Sequence, residues 1–338
     1  MVNRDDHIPL IGVEEHFVTA EVLQAWSDAG LAISDPSLAH NGGTTGARLL
    51  DLAEERIALM DEAGVDVQVL SLTTPALHEL GAAGVDVARR CNDLIAEAIV
   101  RHPDRFQGFA TLPIGDPQAA ALELERCVKT LGFKGTMLSG RVGERNLDHT
   151  DFAPIFESAG SMEAPILLHP RTPPVAVRKA YYDGLSPELD IAMATYGIGW
   201  HYDAGIQFVR LMMSGLFDRL PNLQIILGHW GELVLFYAER LSAMERVADL
   251  NKPVMDYLRS NLYVTASGMF LPHYLERAAS IVGQKRLLFS TDFPYQYKPG
   301  REARRFLNAC GLQGEALSDF AHANWERLTK NCGNQIRQ

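Results

Sequence analysis

The sequence contains few cysteines, no excess of basic residues and no long apolar run, and each of these absences argues against a class of protein. Its 338 residues include four cysteines, none in a CxxC pair, which argues against a zinc knuckle or a dithiol redox motif. Asp and Glu total 42 against 31 Lys and Arg, giving a formal net charge of −11. Because nucleic acids and anionic membranes bind basic patches, we expect neither as a partner and favour a small-molecule substrate.

Three further absences indicate how the chain is organised. No window approaches about 18 consecutive apolar residues, so no membrane-spanning helix is expected. The amino-terminal residues MVNRDDHIPLIG lack the apolar stretch and cleavage site of a signal peptide, which predicts a cytoplasmic protein. No Pro-, Ser- or Gly-rich linker divides the sequence, so residues 1–338 are predicted to form a single domain.

The sequence does contain a regular alternation of short apolar runs and longer helical patterns. Runs of β-branched and large apolar residues predict strands that are covered on both faces, as in a parallel sheet. The eight predicted strands are Ile8–Glu15, Val65–Leu72, Phe106–Pro113, Phe133–Ser139, Pro165–His169, Gln224–His229, Asn261–Ser267 and Arg286–Asp292. The predicted helices are Leu49–Ala63, Val85–Val100, Pro117–Leu131, Gly205–Leu216, Glu232–Val247, Pro272–Val282 and Leu317–Thr329. This α/β order predicts a distorted (β/α)8 TIM barrel, and the lack of GxGxxG after the first strand argues against a doubly wound dinucleotide-binding fold.

Polar residues end several of the predicted strands. In a barrel these ends converge on one mouth, where a charged or imidazole group is partly desolvated and needs compensation. Side chains alternate along a strand, so the two polar residues at positions 14 and 16 point to one side and Glu15 to the other. The residues at the strand ends are Glu14, His16, His169, His229 and Asp292.

A divalent cation would compensate four of these groups directly. A single histidine at a strand end is commonly a hydrogen-bonded structural residue, but four donors spread over three strands favour a metal site. Two imidazoles and two carboxylates form a mixed nitrogen and oxygen set that suits Zn²⁺ or Mn²⁺. The predicted ligands of one such ion are Glu14, His16, His169 and Asp292.

The sequence H-W-G-E suggests a second functional pair. If a helix begins just after Gly231, Glu232 can reach back to His229 and raise the basicity of its ring. The alternative is that Glu232 is an ordinary acidic residue in the first turn of a helix. Arg240 lies about two helical turns further on the same side, where it could bind a substrate carboxylate or be a surface arginine.

Three further histidines lie near the predicted mouth. His78, His201 and His273 follow strand ends or precede helices in the loops there. Any of them could contact a substrate, and the pattern of residues does not decide between them.

Five stretches spread along the chain carry a family resemblance. They are VEEHF (Val13–Phe17), RCNDLIAEAIVRHPDRFQGFATLP (Arg90–Pro113), LLHPR (Leu167–Arg171), RLMMSGLFDRLPNLQIILGHWGE (Arg210–Glu232) and RLLFSTDFPY (Arg286–Tyr295). With these the chain resembles the metal-dependent decarboxylases of the amidohydrolase superfamily, most closely the gamma-resorcylate (2,6-dihydroxybenzoate) decarboxylases. The loops 34–47, 70–81 and 181–201 differ from that pattern, which affects the identity of the substrate more than the class of reaction.

The resemblance implies roles for individual residues. Glu14, His16, His169 and Asp292 match metal ligands of the family, His229 and Glu232 match a His–Glu pair beside the metal, and Arg240 matches an arginine that helps to hold the substrate. It also implies a distorted (β/α)8 barrel and a homodimer or homotetramer.

We therefore hypothesise a non-oxidative decarboxylation of an ortho-hydroxylated aromatic acid. Asp292 is the candidate acid that protonates the ring, a role that requires a raised pKa. Phe17, Trp230 and Phe293 could pack on the ring or belong to the core. The alternatives are a metal-dependent hydrolase of a lactone or amide, with Asp292 as general base, and a non-catalytic binding protein.

Overall fold

Eight short parallel strands form the centre of the molecule. We describe residues 7–333 from a computed structural model. Each predicted strand is present, in most cases shorter than predicted, and almost every strand residue is buried because helices cover the outer faces. The strands are β1 (Ile11–Phe17), β2 (Val67–Leu72), β3 (Phe106–Gly108), β4 (Thr136–Ser139), β5 (Ile166–His169), β6 (Ile225–Leu227), β7 (Leu262–Thr265) and β8 (Leu287–Leu288).

Backbone hydrogen bonds close these strands into a barrel. The strands pair in parallel in the orders β1-β2-β3 and β4-β5-β6-β7-β8. Between β3 and β4 the gap is closed by a parallel bridge that pairs Ala110 with Thr136. On the other side, the chain after β8 pairs with β1, since the amide of Val13 donates to the carbonyl of Phe289 at 3.0 Å. The predicted (β/α)8 barrel is thereby confirmed.

Helices follow most of the strands and pack on the outside of the barrel. Among the described residues, none of them is long and apolar enough to cross a membrane. They are α1 (Ala20–Asp28), α2 (Leu31–Ser34), α3 (Gly43–Leu50), α4 (Glu54–Ala63), α5 (Gly84–Arg101), α6 (Pro117–Lys129), α7 (Ala153–Ser161), α8 (Val175–Tyr181), α9 (Pro187–Ala192), α10 (Gly199–Met213), α11 (Leu216–Arg219), α12 (Ala238–Ser242), α13 (Val254–Ser260), α14 (Pro272–Val282), α15 (Glu302–Ala309), α16 (Gly314–Ser318) and α17 (Asn324–Thr329).

Two of the predicted helices are wrong as continuous elements. The helix predicted over Leu49–Ala63 breaks at Asp51, whose carboxylate accepts hydrogen bonds from the amides of Ala53 (2.8 Å) and Arg56 (2.6 Å) and so starts α4 anew. The helix predicted from Glu232 is replaced by turns, with φ of 49° at Glu232, and helical structure begins only at α12. Glu232 is therefore not a first-turn residue.

The start of α6 agrees with the sequence pattern and provides a stability prediction. The carboxylate of Asp116 caps the helix by accepting from the amide of Ala119 at 3.1 Å, and Pro117 occupies the first helical position. We expect Asp116→Ala to lower the free energy of unfolding by about 1 kcal/mol, measured by urea denaturation. The exposed Asp104, outside any helix, is the matched control, and an equal loss in Asp104→Ala would contradict the capping role.

Candidate metal centre

Four predicted donor residues converge at one end of the barrel. Each of them offers one donor atom, and these atoms all lie within 4.8 Å of one another. Nε2 of His16 is 3.2 Å from Oδ1 of Asp292, and Nε2 of His169 is 3.7 Å from Oε1 of Glu14. Such separations suit ligands that each bind the same ion at about 2.0–2.2 Å. All four residues are buried, so the structure brings together the complete predicted set.

Hydrogen bonds on the far side of each imidazole orient the two histidines. Nδ1 of His169 lies 2.8 Å from the carbonyl oxygen of Pro170, which can only accept, so the proton resides on Nδ1 and Nε2 is left free to bind a metal. Thr74 Oγ1 lies 3.0 Å from the same Nδ1 atom, and Ser71 Oγ lies 3.2 Å from Nδ1 of His16. Both imidazoles therefore present Nε2 to the cluster.

Unpartnered atoms within the cluster fit a cation. Oε1 of Glu14 and Nε2 of His16 are buried and have no hydrogen-bond partner among the described residues. The other carboxylate oxygen of Glu14 accepts from Ser267 and, at 3.1 Å, from Thr265. Burial raises the pKa of Glu14, and a bound cation would offset that cost by stabilising the ionised form. The residues present therefore fit a divalent ion.

Next to the predicted ligands, Glu232 bridges two histidines. Its Oε1 lies 2.5 Å from Nδ1 of His229, and its Oε2 lies 2.7 Å from Nδ1 of His201. His229 in turn directs Nε2 towards Oδ2 of Asp292 at 3.9 Å. The predicted His–Glu pair is thus present as a contact, although a turn rather than a helix produces it. His201, which the sequence left open, joins the pair.

Electrostatic interactions among His229, Glu232 and Asp292 determine which of these side chains carries a proton. Burial disfavours the charged forms, but the carboxylate of Glu232 outweighs burial and raises the pKa of His229 well above its ordinary value. The histidines likewise outweigh burial at Glu232 and lower its pKa to about 2. At Asp292, the attraction of the neighbouring imidazoles of His16 and His229 exceeds the effect of burial and lowers the pKa to about 2. The raised pKa expected for Asp292 is therefore wrong, and the proton resides on His229.

Glu15, on the opposite side of β1, holds the segment that carries Asp292. Its carboxylate accepts hydrogen bonds from the amides of Thr291 (2.8 Å) and Phe293 (3.3 Å), the two neighbours of Asp292. Asp292 itself has a φ of 57°, a left-handed conformation that is unfavourable for a residue with a side chain. The fully buried Glu15 thus secures a strained backbone directly beneath the site.

A cavity of about 600 Å³ opens above the predicted ligands. A volume of this size accommodates a small organic molecule. No lysine or arginine is found among the described residues that line it, so a bound carboxylate would depend on the metal and the histidines for its counter-charge. The lining residues are Ser37, His40, Asn41, Thr45, Thr73, Thr74, His169, Tyr196, Gly197, Trp200, His201, His229, Ser267, Met269, Asp292, Tyr295 and Gln296.

Four residues that the sequence offered as possible substrate contacts lie outside this cavity. Phe17 is fully buried in the hydrophobic core, and the ring of Phe293 packs beneath the Arg56 guanidinium at 4.6 Å. Trp230 is also a core residue. Arg240 is exposed on α12, because the turns after Gly231 replace the helix that was expected to align it with Glu232. Within one chain none of these four lines the cavity.

The sequence did not predict that His40 lines the cavity, and it left the roles of His78 and His273 undecided. Of the undecided histidines, His78 is buried away from the cavity and His273 is exposed. His40, to which the sequence assigned no role, lines the cavity through its loop after α2, between Tyr196 and Trp200 with ring centroids 5.2 and 5.7 Å away. The departure of the loop 34–47 from the family pattern was the one feature of the sequence that pointed to this region.

Known proteins are similar to this chain over nearly its whole length. A family model described as Amidohydrolase matches residues 15–324. The chain is 35% identical over 340 residues to a gamma-resorcylate decarboxylase of a Rhizobium species, which covers 95% of this chain and 98% of that relative.

Two solved structures of similar proteins contain manganese. One is 5-carboxyvanillate decarboxylase of Novosphingobium aromaticivorans with manganese and 4-hydroxy-3-methoxy-5-nitrobenzoic acid, at a TM-score of 0.88 and 30% identity, covering 97% of each chain. The other is a dihydroxybenzoic acid decarboxylase of a Polaromonas species with manganese and the inhibitor 2-nitroresorcinol. Its TM-score is 0.83 at 30% identity, and the match covers 98% of this chain and 100% of that chain.

Proposed function

The chain belongs to the amidohydrolase family, and from this premise we propose that it catalyses the metal-dependent, non-oxidative decarboxylation of an ortho-hydroxylated aromatic carboxylic acid. Relatives that are similar over nearly the whole chain are decarboxylases of hydroxybenzoates. The single observation that carries the proposal is the four-donor cluster at the base of a cavity large enough for a substituted benzoate.

In this proposal the metal is held by the two imidazoles and two carboxylates of the cluster. Manganese is favoured over zinc because similar structures contain it and because carboxylate ligands suit it. When bound, the ion would act as a Lewis acid that neutralises the negative charge of the substrate carboxylate and of the adjacent hydroxyl oxygen. The predicted ligands are Glu14, His16, His169 and Asp292.

The protein's own groups then supply the proton. The ring carbon that bears the carboxylate accepts a proton, its bond to the carboxylate breaks, and CO₂ leaves while the bonding electron pair restores the aromatic ring. We assign the transfer to Asp292, which takes the proton that His229 Nε2 holds 3.9 Å from its Oδ2 atom. Glu232 keeps His229 charged, and His201 shares the negative charge of Glu232. One proton is consumed per CO₂ released, and no redox cofactor is required.

Turnover of defined acids tests the proposed reaction. Manganese-loaded protein is incubated separately with 2,6-dihydroxybenzoate, salicylate and 2,3-dihydroxybenzoate, and the release of CO₂ and of the corresponding phenolic product is measured. We expect equal amounts of both products from at least one of these acids. The absence of turnover with all three, together with hydrolysis of a lactone or amide, would overturn the proposal in favour of a hydrolase.

The raised pKa of His229 predicts how activity depends on pH. The proton is present below that pKa and is lost as the pH rises through it, so activity falls on the alkaline side. In Glu232→Gln, burial dominates and lowers the pKa of His229. The alkaline limb then moves to lower pH, and kcat at neutral pH falls about 10- to 100-fold.

The pH profile of kcat, measured at saturating manganese, checks this expectation. Glu239→Gln makes the same change at an exposed position of α12 and should leave the profile in place. An alkaline limb that does not move in Glu232→Gln would show that Glu232 does not control the protonation of His229.

We further propose that the protein assembles as a homodimer or homotetramer. Exposed apolar side chains occur close together in sequence on one segment, and such patches commonly mark interfaces. They are Phe236, Tyr237, Met244 and Val247. Light scattering would test this by giving a mass of two or four times 37.3 kDa, whereas a mass of 37.3 kDa would contradict it. The substrate contact of Arg240 on the same segment, the single domain over residues 1–338 and the cytoplasmic location stay predictions.

A further inference from the structure

A second cavity, of about 680 Å³, lies next to the first. The segment 193–203 separates the two. Its residues Trp200 and His201 line the first cavity, whereas Tyr202 and Asp203 line the second. The second cavity contains none of the predicted metal ligands and none of the His–Glu cluster, and is therefore a separate site.

Most of the second cavity is apolar and aromatic. Prolines, tyrosines and aliphatic side chains make up the greater part of its lining, which suits a flat ring. Two of the polar lining residues are already hydrogen-bonded within the protein, because Gln207 donates to Asn146 at 2.8 Å and accepts from the amide of Leu147 at 2.9 Å. The apolar lining residues are Pro173, Pro174, Val177, Tyr181, Tyr182, Met193, Ile198, Tyr202 and Ile206.

Arg141 provides a positive charge in this cavity that forms no direct ion pair, although the carboxyl group of Asp203 is near enough to favour it. Its guanidinium donates to the carbonyl of Thr172 at 3.2 Å, but its buried Nε has no partner. No carboxylate in residues 7–333 lies within ion-pair distance of it. The neighbouring Arg171, in contrast, is paired with Glu79. A half-buried arginine with a free Nε and no ion pair can bind an anion, because the guanidinium presents several donors in one plane.

Asp203 provides a second unpartnered group. It is 8% exposed, lies against Gly140, and its side chain makes no hydrogen bond among the described residues. A buried polar group without a partner is uncommon and calls for a ligand or a proton. Burial raises the pKa of Asp203 to about 6 against the opposing effect of Arg141 and Arg171, so below that pH its carboxyl group carries a proton and can donate it in a hydrogen bond to an anionic ligand.

We propose that this second cavity binds a small aromatic carboxylate. The ligand's carboxylate would accept hydrogen bonds from Arg141, with Asp203 beside it, and its ring would pack among the tyrosines and prolines. The free guanidinium donor of Arg141 argues for an anion, and the lining argues for an aromatic body. The inference does not depend on the proposed reaction, because it uses no residue of the metal centre.

Binding of benzoate to the manganese-loaded protein tests the proposal, since benzoate lacks the ortho-hydroxyl group of the expected substrates. Isothermal titration should detect a binding site that weakens about 10- to 100-fold in Arg141→Met, which removes the charge while keeping much of the side-chain length. Val177→Trp, which fills the cavity without changing a charge, should abolish the same site. Arg89→Met alters an exposed arginine and should leave binding unchanged.

A crystal structure with 4-bromobenzoate would locate the ligand. We expect an anomalous bromine peak between Tyr182 and Tyr202 in wild-type protein and none there in Val177→Trp. The proposal is overturned if bromine appears only above the metal centre, if it appears nowhere, or if a second copy of the chain fills the cavity. It is equally overturned if Arg141→Met and Val177→Trp bind benzoate as tightly as wild type. Loss of hydroxybenzoate turnover, in contrast, would affect only the proposed function.

Discussion

Replacement of Asp292 by asparagine is expected to lower kcat for hydroxybenzoate decarboxylation about 10²- to 10⁴-fold, the usual contribution of a positioned acid. Asparagine keeps the shape and one oxygen for the metal but cannot pass a proton from His229 to the ring. KM should change much less than kcat, because the other predicted ligands remain. Single-turnover measurement of CO₂ release would separate the chemical step from binding.

Three controls make this result specific. Metal content, measured on the same samples, must stay near one manganese per chain, so that the loss is not a loss of the ion. In D₂O, wild-type enzyme should place deuterium at the carbon vacated by CO₂ and should exchange that hydrogen in the isolated product, whereas Asp292→Asn should not. Asp86→Asn, at an exposed position of α5, should behave as wild type. Retained exchange in Asp292→Asn would assign proton delivery to another group.

Removal of the metal is expected to lower activity at least about 100-fold, since loss of a Lewis acid costs several kcal/mol of transition-state stabilisation. Dialysis against a chelator should abolish turnover, and added Mn²⁺ should restore it. The variant His169→Ala should bind Mn²⁺ weakly and stay inactive at metal concentrations that restore the wild type. Its imidazole is the predicted ligand whose orientation is best defined, by the hydrogen bond to Pro170.

The matched control for this variant is His149→Ala, an exposed histidine before α7. It should retain both manganese and activity. Thermal unfolding of His169→Ala in the presence and absence of Mn²⁺ gives a readout besides turnover, because a ligand that binds the native state raises its stability. An unchanged metal-induced stabilisation in His169→Ala would contradict its assignment as a ligand.

Parts of the site could be predicted from sequence because they follow from local geometry. Strand alternation places Glu14 and His16 on one side of β1 and Glu15 on the other, and the structure has that arrangement. His169 and Asp292 could be added because every parallel strand of a barrel ends at the same mouth. These inferences need only the period of a strand and the closure of the sheet.

Other parts could not be predicted, for equally physical reasons. The segment after Gly231 has the apolar spacing of a helix, but its backbone adopts positive φ at Glu232, and this removes Arg240 from the cavity. Apolar side chains near a strand end can face either the cavity or the core, so the aromatic character of Phe17 and Phe293 did not reveal their positions. Spacing along the chain carries no information about such choices.

The barrel and the candidate donors follow from the order of the amino acids, since both depend on regular periodicities and on residues at strand ends. Which groups complete the centre, and how they are charged, depends on contacts between elements that are distant along the chain. His201 comes from α10 and shares Glu232 with His229, and the resulting field holds the proton on the imidazole of His229 and not on Asp292. Protonation depends on distances between side chains that are remote in sequence, and those distances exist only in the folded chain.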